Sequence, residues 1–140
     1  MKRYLLDTSA LIALRDDESG ADQVAELLYQ AKNRQAECLV CFMTPMELLY
    51  RVWKDEGERA GRLAYQQLMA LPLVWIHEDG ALLEKSAELK ATCPISLADA
   101  WIAAAAILNG AELVHKDPEF ASLNCAQRLL PWNKSGDYSG

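Results

Sequence analysis

Four short apolar runs limit the fold of this chain more than any other feature: Tyr4-Leu5-Leu6, Cys38 to Phe42, Leu73 to Ile76, and Leu113-Val114-His115. Each is too short for a helix, and none alternates apolar with polar residues. Continuous apolar runs of this length suit strands covered on both faces, as in a parallel sheet. The segments between them are longer and carry helical spacing, so strands and helices alternate along the chain. That order predicts an α/β fold around a parallel sheet. Arg128-Leu129-Leu130 adds a candidate edge strand, giving four to five strands in all.

The intervening segments have recognisable helix signals. Thr8 is expected to cap a short helix from Ser9 to about Leu14. Across residues 20–34, Ala21, Val24, Leu27, Leu28 and Ala31 recur at helical spacing. Thr44-Pro45-Met46-Glu47 reads as a helix opening, with Thr44 at the N-cap, Pro45 in the first helical position and Glu47 closing a capping box. That helix is expected to run to about Asp55, with others over 57–70 and 79–91. Ser96 caps the next, which stops at Asn109-Gly110 and places Leu97, Trp101, Ala104, Ala105 and Leu108 on one face. A short turn from Asp117 to Leu123 follows the last long strand.

With 140 residues, 51% apolar and 24% charged, the chain has the size and composition of one domain with a sizeable core. The expected boundaries are a domain over 1–133 and a flexible polar tail over 134–140. Met1-Lys2-Arg3 and the apolar residues after it resemble a signal peptide only until Asp7 interrupts them, and no cleavage pattern follows. The apolar run around Trp101 to Leu108 is far short of the ~20 residues that span a membrane. The expectation is a soluble, cytoplasmic protein with no membrane partner. Four cysteines are too few for a disulfide scaffold in a chain this long. Cys38 and Cys41 form a C-x-x-C, but within an apolar strand and not at a helix start, where a redox thiol would be activated. Buried, reduced thiols are expected.

Asp7 directly follows the first strand, and Asp117 lies just beyond the fourth. In open parallel sheets the carboxyl ends of the strands line the ligand crevice. Glu47 and Asp99 each fall in the expected first turn of a helix, the end that faces the same crevice. Unit charges about 4 Å apart repel by roughly 4 kcal/mol at an effective dielectric near 20. Four gathered carboxylates therefore call for a cation or for protonation. An all-oxygen set suits Mg²⁺ or Mn²⁺, and phosphodiester hydrolysis is chemistry such ions support. Each acid also has a structural reading: Glu47 in its capping box, Asp99 against the helix dipole, Asp7 bonding its own turn, and Asp117 as a turn residue before Pro118. A net charge of −6 argues against generic binding to a polyanion. A cation would change the sign locally, and Arg51, Lys54, Arg59 and Arg62 fall within twelve residues.

These segments together resemble the PIN-domain family and, within it, the VapC toxins. Leu5-Leu6-Asp7-Thr8-Ser9-Ala10-Leu11-Ile12 is similar to the family's opening motif, and Thr44-Pro45-Met46-Glu47-Leu48 to its second. Leu97-Ala98-Asp99-Ala100-Trp101-Ile102-Ala103-Ala104 resembles the third, and Ala111 to Phe120 the fourth, with Asp117 as its acid. The four motifs in order span nearly the whole chain. The resemblance implies a three-layer α/β/α sandwich and catalytic, metal-holding roles for Asp7, Glu47, Asp99 and Asp117 with Mg²⁺ or Mn²⁺. It further implies an endoribonuclease acting on RNA as a toxin, a cognate VapB-type antitoxin and a homodimer. One position departs from the pattern: His115 stands where the family usually has Thr or Ser. A ring N–H there can replace the hydroxyl or titrate near neutral pH, or His115 is a strand-end residue without a catalytic part.

Thr8, Ser9, Arg51 and Lys116 are candidate substrate contacts. Each has an alternative: Thr8 as a cap, Ser9 fixing the Asp7 carboxylate, Arg51 pairing with Glu47, and Lys116 on a solvated surface. Lys54, Arg59 and Arg62 read as a phosphate track or as a solvated helix face. Trp53, Trp75 and Trp101 are assigned to the core or a dimer interface. Glu119 reads as an outer acid or an ordinary exposed glutamate. Two other classes compete. A haloacid-dehalogenase-like phosphatase needs a second Asp two residues after the first, where this chain has Ser9. A non-catalytic PIN-like RNA- or protein-binding module has no need of all four acids.

Overall fold

The computed structural model describes residues 1–132, so the expected tail over 134–140 lies outside the described residues. The elements run β1 (Lys2–Leu6), α1 (Thr8–Arg15), α2 (Ala21–Lys32), β2 (Ala36–Cys41), α3 (Met43–Glu56), α4 (Glu58–Met69), β3 (Leu73–Ile76), α5 (Gly80–Thr92), α6 (Leu97–Leu108), β4 (Glu112–His115), a 3₁₀ turn (Pro118–Ser122) and β5 (Gln127–Leu129). The five strands form one sheet in the order β3-β2-β1-β4-β5, and every pairing is parallel.

Because side chains alternate across a strand, the two faces of the sheet collect different residues. Tyr4, Leu6, Cys38, Val40 and Val114 share one face with α1 to α4. Leu5, Leu39, Cys41 and Leu113 share the other with α5 and α6. The result is the expected three-layer α/β/α sandwich. The thiols of Cys38 and Cys41 are free and buried, and burial pushes both pKa values up to about 11. No helix among the described residues is long and apolar enough to cross a membrane.

Three local expectations need correction. Asp7, not Thr8, caps α1, accepting the backbone N–H of Ser9. The helix carrying Glu47 begins earlier than expected, at Met43, with no side-chain cap. Thr44 and Glu47 make no capping box because both are engaged by Thr8, whose hydroxyl lies 3.3 Å from Thr44 Oγ1 and 2.7 Å from Glu47 Oε1. Pro45 remains tolerable in the first turn, where a backbone N–H has no helical partner. Finally, α6 does not bury the stripe assigned to it: Leu97 is 62% and Leu108 47% exposed, while Ala100, Ile102 and Ala103 to Ala106 are fully buried. The run of alanines sinks between the sheet and α5, and the two leucines overhang at its ends.

Gly20 links α1 to α2 with φ +93°, and a Cβ there would meet Leu130 Cβ at 2.9 Å. Gly20→Ala should therefore cost roughly 1–3 kcal/mol from backbone strain alone. Urea unfolding would register this as a lower midpoint at unchanged slope.

Candidate functional site

In the strand order, β1 is flanked by β2 on one side and β4 on the other, so the order in which strands add to the sheet reverses between β1 and β4. A crevice opens at the carboxyl ends of strands at such a switch point. Asp7 and Asp117 emerge there. The Asp7 N–H donates to Val114 O at 3.0 Å, extending the β1–β4 ladder by one residue. Glu47 reaches the same crevice from the second turn of α3, and Asp99 from the first turn of α6. All four acids line one cleft of about 400 Å³.

The carboxylates differ in how they are held. Asp7 is 4% exposed and accepts hydrogen bonds from both the N–H and the hydroxyl of Ser9. Burial raises its pKa, and those two bonds oppose the rise. Burial likewise raises the pKa of Glu47, countered by the Thr8 hydrogen bond. Asp99 is pushed up to about 8, by burial first and then by the charge of Asp7, a hydrogen bond with Asp117 and the charges of Asp117 and Glu119. Its own N–H donates to the Ser96 hydroxyl at 3.1 Å. Asp117 caps the 3₁₀ turn, accepting from the Glu119 N–H at 2.9 Å.

None of the ion pairs among the described residues involves these four acids. The charges of Asp7 and Asp117 instead add to burial in raising the pKa of Asp99. Such an oxygen-only donor set fits a hard divalent cation. Asp99, Asp117 and Glu119 offer carboxylate oxygens within 4.8 Å of one another. Glu119, weighed as an outer or merely exposed acid, thus joins the cluster and also accepts the Ser96 N–H at 2.5 Å. Its position in sequence, two residues after Asp117, was the available signal.

The other candidates fall in varied settings. Thr8 and Ser9 hold Glu47 and Asp7, as described. Arg51 is exposed at the cleft but makes no ion pair with Glu47. Lys116 does not sit on a solvated surface: it is 6% exposed, and its amine donates to Ser19 O at 3.0 Å and lies 5.5 Å from the Trp132 ring centre. Arg62 pairs with Glu58 along α4 and packs over Trp53, whereas Lys54 and Arg59 are exposed. Among the described residues the His115 ring is hydrogen-bonded to no carboxylate; its partners are Gln127 and the Asp117 N–H. Gln127 and Trp132 carry no signal in the sequence, because their contacts with Phe120, Leu123, His115 and Lys116 have no recognisable sequence spacing.

Thr8→Val removes the donor that holds the Glu47 pKa down. The Glu47 carboxyl should then titrate higher still, which ¹³C NMR of its side chain would report.

A family profile described as "PIN domain" matches residues 4–124. Among solved structures, the chain is similar to the VapBC2 complex of Rickettsia felis bound to a promoter DNA fragment. The identity is 21% and the TM-score 0.73, over 92% of this chain and 99% of that one. It is also similar to a toxin–antitoxin complex from Klebsiella pneumoniae, at 25% identity and TM-score 0.61, covering 86% of this chain and 92% of the other. A third is VapC20 of Mycobacterium tuberculosis, described as a sarcin–ricin loop cleaving toxin, at 16% identity and TM-score 0.67 over 85% and 93% of the two chains. Among curated proteins, none matches the sequence.

Proposed function

Since the chain belongs to the PIN-domain family, we propose that it is a divalent-metal-dependent endoribonuclease and the toxin of a VapBC-type pair. The carrying observation is the convergence of Asp7, Glu47, Asp99 and Asp117 on one cleft, with no ion pair to any of them among the described residues. These four would hold Mg²⁺ or Mn²⁺. A bound ion of this kind supplies Lewis acidity toward a phosphate oxygen and lowers the pKa of water. The chain's own residues prepare that role. Ser9 fixes the Asp7 carboxylate with two donors, and Thr8 fixes Glu47. Asp99 would have to give up its proton to serve as a ligand. Arg51 takes an RNA phosphate at the mouth of the cleft, with Thr8, Ser9 and Lys116 as the remaining proposed substrate contacts.

The similarity to VapBC and toxin–antitoxin complexes supports a VapB-type antitoxin as partner, and that to VapC20 supports RNA as substrate. An antitoxin side chain with a guanidinium group would satisfy the acids, since Arg pairs with planar carboxylates in a fork. Exposed Met46, Tyr50 and Trp53 on α3 are consistent with a homodimer, and free thiols with a reducing cytoplasm. The proposed domain covers 1–133.

Purified protein incubated with end-labelled RNA tests the reading. Cleavage should require Mg²⁺ or Mn²⁺, stop with EDTA and disappear in Asp7→Asn. Cleavage that persists in EDTA would contradict it, and Mn²⁺ binding without cleavage would favour the non-catalytic module. Induction without the partner gene should arrest growth. Normal growth with soluble protein confirmed would remove the toxin role alone.

A further inference from the structure

The backbone that presents Asp117 to the cleft is fastened by two residues outside the acid cluster. We propose that His115 and Gln127 form a clamp that orients Asp117, making both positioning residues for the metal site; this rests on the metal-dependent reading above. Asp117 lies two residues beyond β4, where the sheet no longer supplies an acceptor for its N–H. That N–H donates instead to His115 Nδ1 at 3.1 Å. The ring is 1% exposed and packs edge-on against Phe120, with ring centres 4.9 Å apart. His115 Nε2 lies 2.9 Å from Gln127 Oε1. The Gln127 amide nitrogen donates to both Phe120 O and Leu123 O at 3.1 Å.

These bonds determine one another. With its NH₂ committed to two carbonyls, Gln127 can present only its oxygen to the ring. An acceptor opposite Nε2 requires the proton on Nε2, which leaves Nδ1 as the acceptor that the Asp117 N–H needs. The opposite tautomer would set two donors against each other at Asp117. Gln127, on edge strand β5, thus selects the imidazole form that holds Asp117, and it also ties down the turn over Phe120 to Leu123. Outer partners of this kind fix the ligands of metal sites, and losing one typically lowers metal affinity about 10–100-fold.

Asparagine and glutamine separate this role from simple packing. An Asn amide falls near the position of Nδ1 and keeps an acceptor for Asp117. A Gln amide reaches toward Nε2 and does not. The test is Mn²⁺ affinity by EPR for wild type, His115→Asn, His115→Gln and Gln127→Leu, with ¹⁵N NMR of the wild-type ring. The expected result is an Nε2-protonated ring, Asn within about threefold of wild type, and Gln and Gln127→Leu weakened about 10–100-fold. Thermal melting of the two His115 variants should fall alike, so stability alone cannot reproduce the difference. Equal Mn²⁺ affinity in the Asn and Gln variants, or an Nδ1-protonated ring, would overturn the clamp. Wild type that binds no Mn²⁺ would overturn the metal reading, and this inference with it.

Discussion

Replacing Asp99 with asparagine is expected to lower RNA cleavage by more than about a hundredfold, the upper end of what losing an outer partner of a metal site costs. Asp99 faces Asp7 and Asp117 directly, and both raise its pKa. It would contact the cation itself, so the loss should appear in kcat more than in KM. Stability should respond the other way. Near neutral pH the wild type must take up a proton at Asp99 to fold, whereas an amide needs none, so cation-free Asp99→Asn should melt no lower than wild type. A variant that cleaves at the wild-type rate would exclude Asp99 from the site. One that unfolds would show a structural role instead.

The second large effect concerns pH and cation together. In the folded protein Asp99 holds its proton up to about pH 8, whereas an aspartate in an unfolded chain ionises near ~3.9. Between these values the folded state binds the extra proton, so stability falls as pH rises through the window. Asp7 and Glu47, raised mainly by burial, act with the same sign. At ~1.4 kcal/mol per pKa unit, the Asp99 displacement amounts to about a few kcal/mol. In EDTA, the midpoint of urea unfolding should therefore be higher at pH 5 than at pH 8, and Asp99→Asn should remove most of that slope. Cation binding must expel the same protons, so affinity should climb with pH over the same range. Mn²⁺ at a hundredfold excess over Kd adds about 2.7 kcal/mol and should restore at pH 8 what deprotonation removes. A flat profile in EDTA would contradict the crowding of the acids.

How much of this was legible in the sequence depended on whether the signal was local. Leu73 to Ile76 reads as a strand because a short apolar run between Pro72 and the polar His77-Glu78-Asp79 has few other fates, and its limits agree with β3. Ser96 reads as a cap because its partner, the Asp99 N–H, is three residues away. Asp7 and Asp117 could be placed at strand ends, and parallel topology carries strand ends to one edge. Thr44 and Glu47 show the limit of local patterns. Their spacing satisfies a capping box, but Thr8, 36 and 39 residues distant, takes both hydroxyl and carboxylate. Lys116 looks solvated beside Asp117, yet the turn at Ser19 covers it. On α6 the alanines are so small that the helix buries more than one stripe, which a single-face pattern does not anticipate. Gln127 was invisible because its amide serves Phe120, Leu123 and His115, and that convergence exists only after β5 pairs with β4.

Crystals grown with millimolar Mn²⁺ and measured at the manganese absorption edge test the central claim most directly. The account predicts anomalous density in the cleft, ligated by oxygens of Asp7, Asp99 and Asp117 with Glu47 directly or through water. A cleft without anomalous density under those conditions, its acids standing where they stand here, would contradict it.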